Sequence, residues 1–240
     1  MIEYDNLGYM KNRPLTREQW RSAVGDMPDG LILTKNSAPP GFLLCHNFLD
    51  ADICDAIVRE ADAQAGIQHM VGKTDTGPMQ VVSSEARKSE LVNISTLSAN
   101  IPRIVKRAYT DVIEPHFGAT MEWFEKPEIL RYRAGGEYVP HADSDNWDDA
   151  AQVWRRSIDR DYSLLIYLNE GFTGGEIEFP NFGVRLAPRR GLLIAFPSDA
   201  RYMHAALPVT SGVRYALVSW AAAKGSPRVR KTVPAFSYRM

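Results

Sequence analysis

Chemistry in this sequence gathers around a short run, Pro140-His141-Ala142-Asp143. On an extended strand, residues two apart point to the same face, so the imidazole of His141 and the carboxylate of Asp143 converge on one point. A third donor must come from elsewhere in the chain. His204, which lies between two β-rich runs, can be brought alongside by a sheet. Two imidazoles and one carboxylate, with the remaining octahedral positions open, form the facial donor set of a non-haem ferrous centre.

Arg214 follows His204 by ten residues, inside Val213-Arg214-Tyr215-Ala216-Leu217-Val218-Ser219-Trp220. Alternation puts Arg214, Ala216, Val218 and Trp220 on one face and Tyr215, Leu217 and Ser219 on the other. If the first face is the inner one, a guanidinium is buried and requires an anion. The small residues beside it would leave room for a carboxylate bound in bidentate fashion. If the second face is inner, Arg214 points to solvent. A triad combined with an internal arginine suggests an acidic cosubstrate reaching from metal to arginine.

The elements that must position these groups are bounded by composition. A chain of 240 residues, 45% hydrophobic and 10% aromatic, can bury one full core and is too short for a multi-domain assembly. Its 28 basic and 29 acidic residues leave a net charge of −1, which gives no reason to expect nucleic acid or an anionic membrane as partner. Cys45 and Cys54 are the only cysteines, too few for a disulfide scaffold or a structural zinc site. The acidic start, Met1-Ile2-Glu3-Tyr4-Asp5, is unlike a signal peptide, and no apolar run approaches the roughly 20 residues of a membrane span. The expected location is the cytoplasm.

Residues 1–38 read as an N-terminal arm, with Thr16 to Gln19 as a capping box opening a short helix. Residues 39–126 read as helical support. One helix is capped by Asp50 and carries Ile53, Ile57 and Ala61; a second carries Leu97, Ile101, Ile104, Val105, Ala108 and Val112, with Pro102 in its first turn and Pro115 as its stop. From Pro127 the period changes from 3.6 to 2. Short strands are predicted over 129–132, 162–168, 176–179, 183–186, 192–196 and 213–221, separated by glycines and prolines. The fold class is mainly β with flanking helices. Its core, 127–223, is expected to be a jelly roll, and 224–240 a C-terminal tail, all in one domain.

Taken together, these residues resemble the iron(II)- and 2-oxoglutarate-dependent dioxygenases, and most closely their prolyl 4-hydroxylase-like branch. The likeness runs through Leu130-Arg131-Tyr132, Tyr138-Val139-Pro140-His141-Ala142-Asp143, Gly174-Gly175-Glu176, His204, Gly212-Val213-Arg214 and Trp220. It implies a double-stranded β-helix core, a cupin-like architecture, with His141, Asp143 and His204 holding Fe(II). It further implies that Arg214 and Tyr132 hold the distal carboxylate of 2-oxoglutarate. Tyr138 and Trp220 would line the substrate side, and Arg87, in Arg87-Lys88-Ser89, resembles a substrate-covering strand. The implied reaction consumes O2, with L-ascorbate as an accessory reductant. It hydroxylates an unactivated C–H of a prolyl residue in a peptide or protein and releases succinate and CO2. A hydroxylase of a free amino acid or small metabolite is the alternative enzyme; a non-catalytic binding or sensor module is the alternative of another class.

Three further segments carry expectations. Ser144 to Asp161 reads as a lid, or as a surface loop with a helix over 149–157, and Trp147 could stack on a pyrrolidine ring. Gly174-Gly175 reads as a plain hairpin turn. His46, beside Cys45, reads as structural, and His69 and His116, with nothing to pair them, read as solvent-facing or capping.

Overall fold

A computed structural model describes residues 41–69, 71–73, 80–82 and 86–240. The expected arm, with its capping box, lies outside the described residues.

Alternation of apolar side chains on both faces produces the main sheet. Its strands run Leu43–Cys45, Leu193–Pro197, Tyr162–Tyr167, Arg214–Ala223, Glu128–Tyr132, Glu90–Val92 and Gly66–Gln68, with every neighbouring pair antiparallel. Met121–Glu125 also pairs with Arg214–Ala223, and Ser237–Arg239 near the chain end pairs with Met121–Glu125. A second, four-stranded sheet is ordered Val184–Leu186, Ile177–Phe179, His204–Ala206, Tyr138–His141. The segment before residue 127 therefore supplies strands to the large sheet as well as helices behind it, and the tail after 223 contributes one strand.

The long strand Arg214–Ala223 is buried along its whole length, which decides between the two orientations left open by alternation. Ala216, Val218 and Trp220 join Leu165, Tyr167, Ile194 and Phe196 in a core shared with Ile177, Phe179 and Leu186 of the small sheet. Arg214 shares that inner face. Leu217 and Ala221 instead join Leu164, Ile166 and Leu193 against the helices. The fold is thus a double-stranded β-helix with helices banked on the outside of its larger sheet.

The helix Ala51–Asp62 buries Cys54, Ile57 and Ala61 against that outer face. Asp50 occupies the N-cap position without a side-chain capping bond; only its carbonyl is used, accepting from Cys54 N at 3.0 Å. The second helix starts as expected, with Asn100 accepting from Arg103 N and Pro102 in the first turn. Pro115 does not stop it. Residues Ala108–Ile113 form a π turn, and the helix resumes over Glu114–Phe117 before ending at Gly118 in the left-handed region. The wide turn accommodates a residue with no N–H to donate.

The expected helix over 149–157 is instead a hairpin, Asp145–Asp148 paired with Val153–Arg156. Trp147 stands opposite Trp154 with ring centroids 5.7 Å apart, and Asp148 closes the turn by accepting from Ala150 N and Ala151 N, each at 3.0 Å. Cross-strand aromatic pairing and aspartate turn chemistry outweigh the helical spacing. Gly174-Gly175 is not a plain hairpin turn either. Thr173–Gly174 pairs with Val209–Ser211, whereas Ile177–Phe179 pairs within the small sheet, so the glycines, at φ 72° and 70°, turn the chain between sheets. Among the described residues, no helix is long and apolar enough to cross a membrane.

Candidate metal centre

His141 and His204 are cross-strand partners in the small sheet, which brings together residues distant in sequence. Asp143 lies two residues beyond His141, the last residue of its strand. One donor atom from each of the three residues lies within 4.8 Å of the others. The Nε2 of His141 is 3.6 Å from one carboxylate oxygen of Asp143, and the Nε2 of His204 is 3.7 Å from the other.

The outer atoms of each ligand are committed to the protein. His141 Nδ1 lies 2.9 Å from the carbonyl of Val139, and His204 Nδ1 lies 3.1 Å from that of Tyr202. A carbonyl only accepts, so each ring carries its proton on Nδ1 and turns the lone pair of Nε2 inward. Ser163 Oγ donates to Asp143 at 2.6 Å, and Arg160 Nη1 donates to the Asp143 carbonyl at 3.3 Å. Burial, with the neighbouring His204, holds the His141 pKa down at about 3, so its ring is neutral. Burial would raise that of Asp143, but His204, His141, Arg160 and the Ser163 hydroxyl outweigh it and set it at about 2. A deprotonated carboxylate and two inward Nε2 lone pairs, all preoriented, fit a ferrous ion with open positions.

The triad lines one side of a cavity of about 140 Å³. Arg214, 3% exposed, lies in the same cavity, directly across the ladder from Tyr132. Its Nη1 donates to the carbonyl of Gly175 at 3.0 Å, and its guanidinium carbon lies 4.6 Å from the Tyr132 ring and 5.2 Å from that of Tyr167. Arg214 Nε and the Tyr167 hydroxyl are buried with no hydrogen-bond partner among the described residues. Burial pushes the Tyr167 hydroxyl up to about 12, so it keeps its proton. A buried cation and two idle donors constitute a receptor lacking its anion, and the distal carboxylate of 2-oxoglutarate fits it. Tyr167 has no role assigned from the sequence, although alternation from Ser163 through Leu165 puts it on the inner face.

The substrate side is only partly as expected. Tyr138 stacks on the His141 ring at 3.5 Å, and Arg87, bridged to the Tyr138 backbone, lies 4.6 Å over the Tyr138 ring. Trp220 lines the cavity beneath Arg160, whose guanidinium sits 3.8 Å from the indole and is clamped by Glu125 through two bonds of 2.7 Å. Trp147 is not among the cavity residues. It packs with Trp154, Ala200 and Met203, so its ring supports the hairpin rather than a substrate. His69, expected to be solvent-facing or capping, lines the cavity with Arg87 and Glu128. The sequence gives no periodic signal for His69 or Glu128, because neighbours two strands apart in a sheet bring them together. His116 and His46 are exposed.

Comparisons with known proteins agree with this geometry. Residues 127–222 match the profile of the 2OG-Fe(II) oxygenase superfamily. A stretch of 89 residues is 42% identical to human "Prolyl 3-hydroxylase 3", but it covers 33% of this chain and 12% of that protein. A "Putative prolyl 4-hydroxylase" of Acanthamoeba polyphaga mimivirus is 25% identical over 185 residues, 73% of this chain and 71% of the relative. The solved structure of a viral collagen prolyl hydroxylase from Paramecium bursaria chlorella virus 1, in complex with 2OG, superposes with a TM-score of 0.57 at 24% identity. That superposition covers 75% of this chain and 96% of the other.

Proposed function

From a β core that matches the 2OG-Fe(II) oxygenase superfamily and is prolyl 4-hydroxylase-like, we propose that this protein is an Fe(II)- and 2-oxoglutarate-dependent dioxygenase. Its reaction hydroxylates an unactivated C–H of a prolyl residue in a peptide or protein and releases succinate and CO2. The observation that carries this reading is the single cavity into which three metal donors and a buried, under-bonded arginine all face.

Fe(II), with 2-oxoglutarate and O2, would supply the oxidising chemistry; the rest is positioning. His141, Asp143 and His204 would hold the ion on one side only, leaving the opposite positions for cosubstrate and oxygen. Arg214, Tyr132 and Tyr167 would fix the far carboxylate and so set which end of 2-oxoglutarate faces the metal. Leu165, Phe196 and Val218, apolar residues of the cavity wall, restrict water. Tyr138, Trp220 and Arg87 would place the substrate, with the Arg160–Glu125 clamp keeping the indole in position. Ascorbate would serve as accessory reductant. Both cysteines are free, which suits the reducing cytoplasm proposed as its location.

Purified protein given Fe(II), ascorbate and 2-oxoglutarate should release succinate. A proline-rich peptide should increase that release and gain one oxygen atom by mass spectrometry. Absence of 2-oxoglutarate turnover under every metal condition would refute the assignment.

A further inference from the structure

The cavity wall built by the large sheet, which also carries Arg214 and Tyr132, holds two buried polar atoms that the proposed reaction does not use. His69 follows the edge strand Gly66–Gln68, and Glu128 opens the strand Glu128–Tyr132; the strand Glu90–Val92 lies between them and pairs with both. His69 N donates to the Ser89 carbonyl at 2.8 Å, which fixes the backbone at this point. The side chains meet at the cavity, His69 Nε2 standing 3.9 Å from Glu128 Oε2.

The hydrogen-bonding role of His69 follows from its neighbours; burial raises the Glu128 carboxyl while Arg87 and Arg160 draw it down, and in its carboxylate form Oε2 accepts. His69 Nε2 lies 3.5 Å from Arg87 Nη1. A guanidinium only donates, so Nε2 accepts and Nδ1 carries the ring proton. Burial, with Arg87 and Arg160 nearby, holds the His69 pKa down at about 3, so the ring is neutral and has this single donor. Nδ1 is buried with no partner among the described residues, and so is Oε2 of Glu128. Each orphan costs stability until a ligand satisfies it. A donor and an acceptor, neither with a partner among the described residues, thus line the same cavity as the metal ligands.

In an extended chain, the N–H and C=O of one residue point to the same side, the arrangement that lets antiparallel strands exchange paired bonds. We propose that His69 and Glu128 read the main-chain N–H and C=O of one extended substrate residue next to the hydroxylated one, His69 Nδ1–H donating to the carbonyl and Glu128 Oε2 accepting from the N–H. Proline has no N–H, so the residue read here is not proline. This deepens the proposed function and rests on it: the substrate is a peptide, recognised at a non-prolyl neighbour by its backbone.

The test uses a blocked peptide of about five Ala-Pro repeats ending in a dimethylamide, and its depsipeptide analogue with lactate for each alanine, which lacks the N–H groups. Binding is measured by calorimetry on the anaerobic enzyme loaded with Fe(II) and 2-oxoglutarate. The wild type should bind the amide about tenfold more tightly than the ester, the worth of one buried hydrogen bond. Glu128→Ala should bind both equally. His69→Phe should weaken both by about tenfold while keeping the wild-type ratio. The KM for 2-oxoglutarate, set at the other end of the cavity, should not move in either variant, and Glu128→Gln, which keeps the side chain's shape, controls for folding. A Glu128→Ala protein that still discriminates amide from ester overturns the inference, as does a His69→Phe protein with wild-type affinity. So does a wild type that releases succinate from 2-oxoglutarate but does not bind the peptide. Failure to turn over 2-oxoglutarate at all would instead remove the reading beneath it.

Discussion

The two ends of the cavity are built differently. At the anchor end, Arg214, Tyr132 and Tyr167 come from three adjacent strands of the large sheet, each enclosed between the sheets with less than 4% exposure. At the mouth, His69, Arg87, Glu128, Tyr138 and Arg160 come from five separate segments and form a web of charge, stacking and hydrogen bonds. The anchor end is enclosed and carries one kind of receptor, a cation with two idle donors. The mouth offers donors and acceptors of both kinds. A fixed small anion suits the first, and a variable chain suits the second. Substitutions should therefore separate along the cavity, affecting 2-oxoglutarate at one end and the target at the other.

The strongest test removes what both ends share. His141→Ala should abolish 2-oxoglutarate-dependent succinate release, with the circular dichroism spectrum unchanged, because the metal loses one of three donors while the strand pairing persists. At the anchor end, Arg214→Ala leaves a carboxylate without its cation and should raise the KM for 2-oxoglutarate by about a hundredfold, roughly 3 kcal/mol. Peptide affinity, measured with saturating 2-oxoglutarate, should stay within twofold or so of wild type. Tyr167→Phe deletes one neutral donor and should raise the same KM by about five- to tenfold. An equal loss of peptide affinity in either variant would erase the division between the two ends.

Away from both ends, Trp147→Ala should leave kcat and both KM values unchanged. It should lower stability by roughly 1 kcal/mol through loss of its aromatic partner, visible as a reduced Tm. The mouth also has a pH signature. His69 resists protonation in the fold, with a pKa of about 3 against the ordinary 6.5. The unfolded chain takes up a proton between those values and the folded chain does not, so stability falls as pH drops from about 6.5 toward 3, by up to roughly 1.4 kcal/mol per pH unit, and is flat for this group above 6.5. In denaturation of the metal-free protein, His69→Phe should make that slope shallower.

This division also marks what could be read from the sequence. His141 and Asp143 are two residues apart on an extended segment, and Arg214 lies on a strand whose alternation is visible, so the geometry follows from local periodicity. His204 needed the topology of the sheet, and the family resemblance supplied it. His69 and Glu128 had no such help. Their proximity depends on the placement of the intervening strand Glu90–Val92, a long-range fact with no local trace. The hairpin over 145–156 has no distinct signal in the sequence, because a polar stretch with an i,i+7 tryptophan pair fits helix and hairpin spacing alike, and only the Asp148 turn and the Trp147–Trp154 contact decide between them. Pro115 misled for a related reason: a proline ends a regular α-helix, but a π turn just before it removes the conflict.

Because His141 and His204 sit on a single rung between neighbouring strands, any ion they share is also a clasp across that rung. The strand Tyr138–His141 is the last in the small sheet, met on its outer side by residues 86–88, so the clasp holds down the sheet's last strand rather than an interior one. Chelation should therefore loosen the molecule unevenly. Amide exchange should quicken first along residues 138–141 and 204–206 while the strands of the larger sheet stay protected, and a protease should find its earliest foothold near that last strand in the stripped protein.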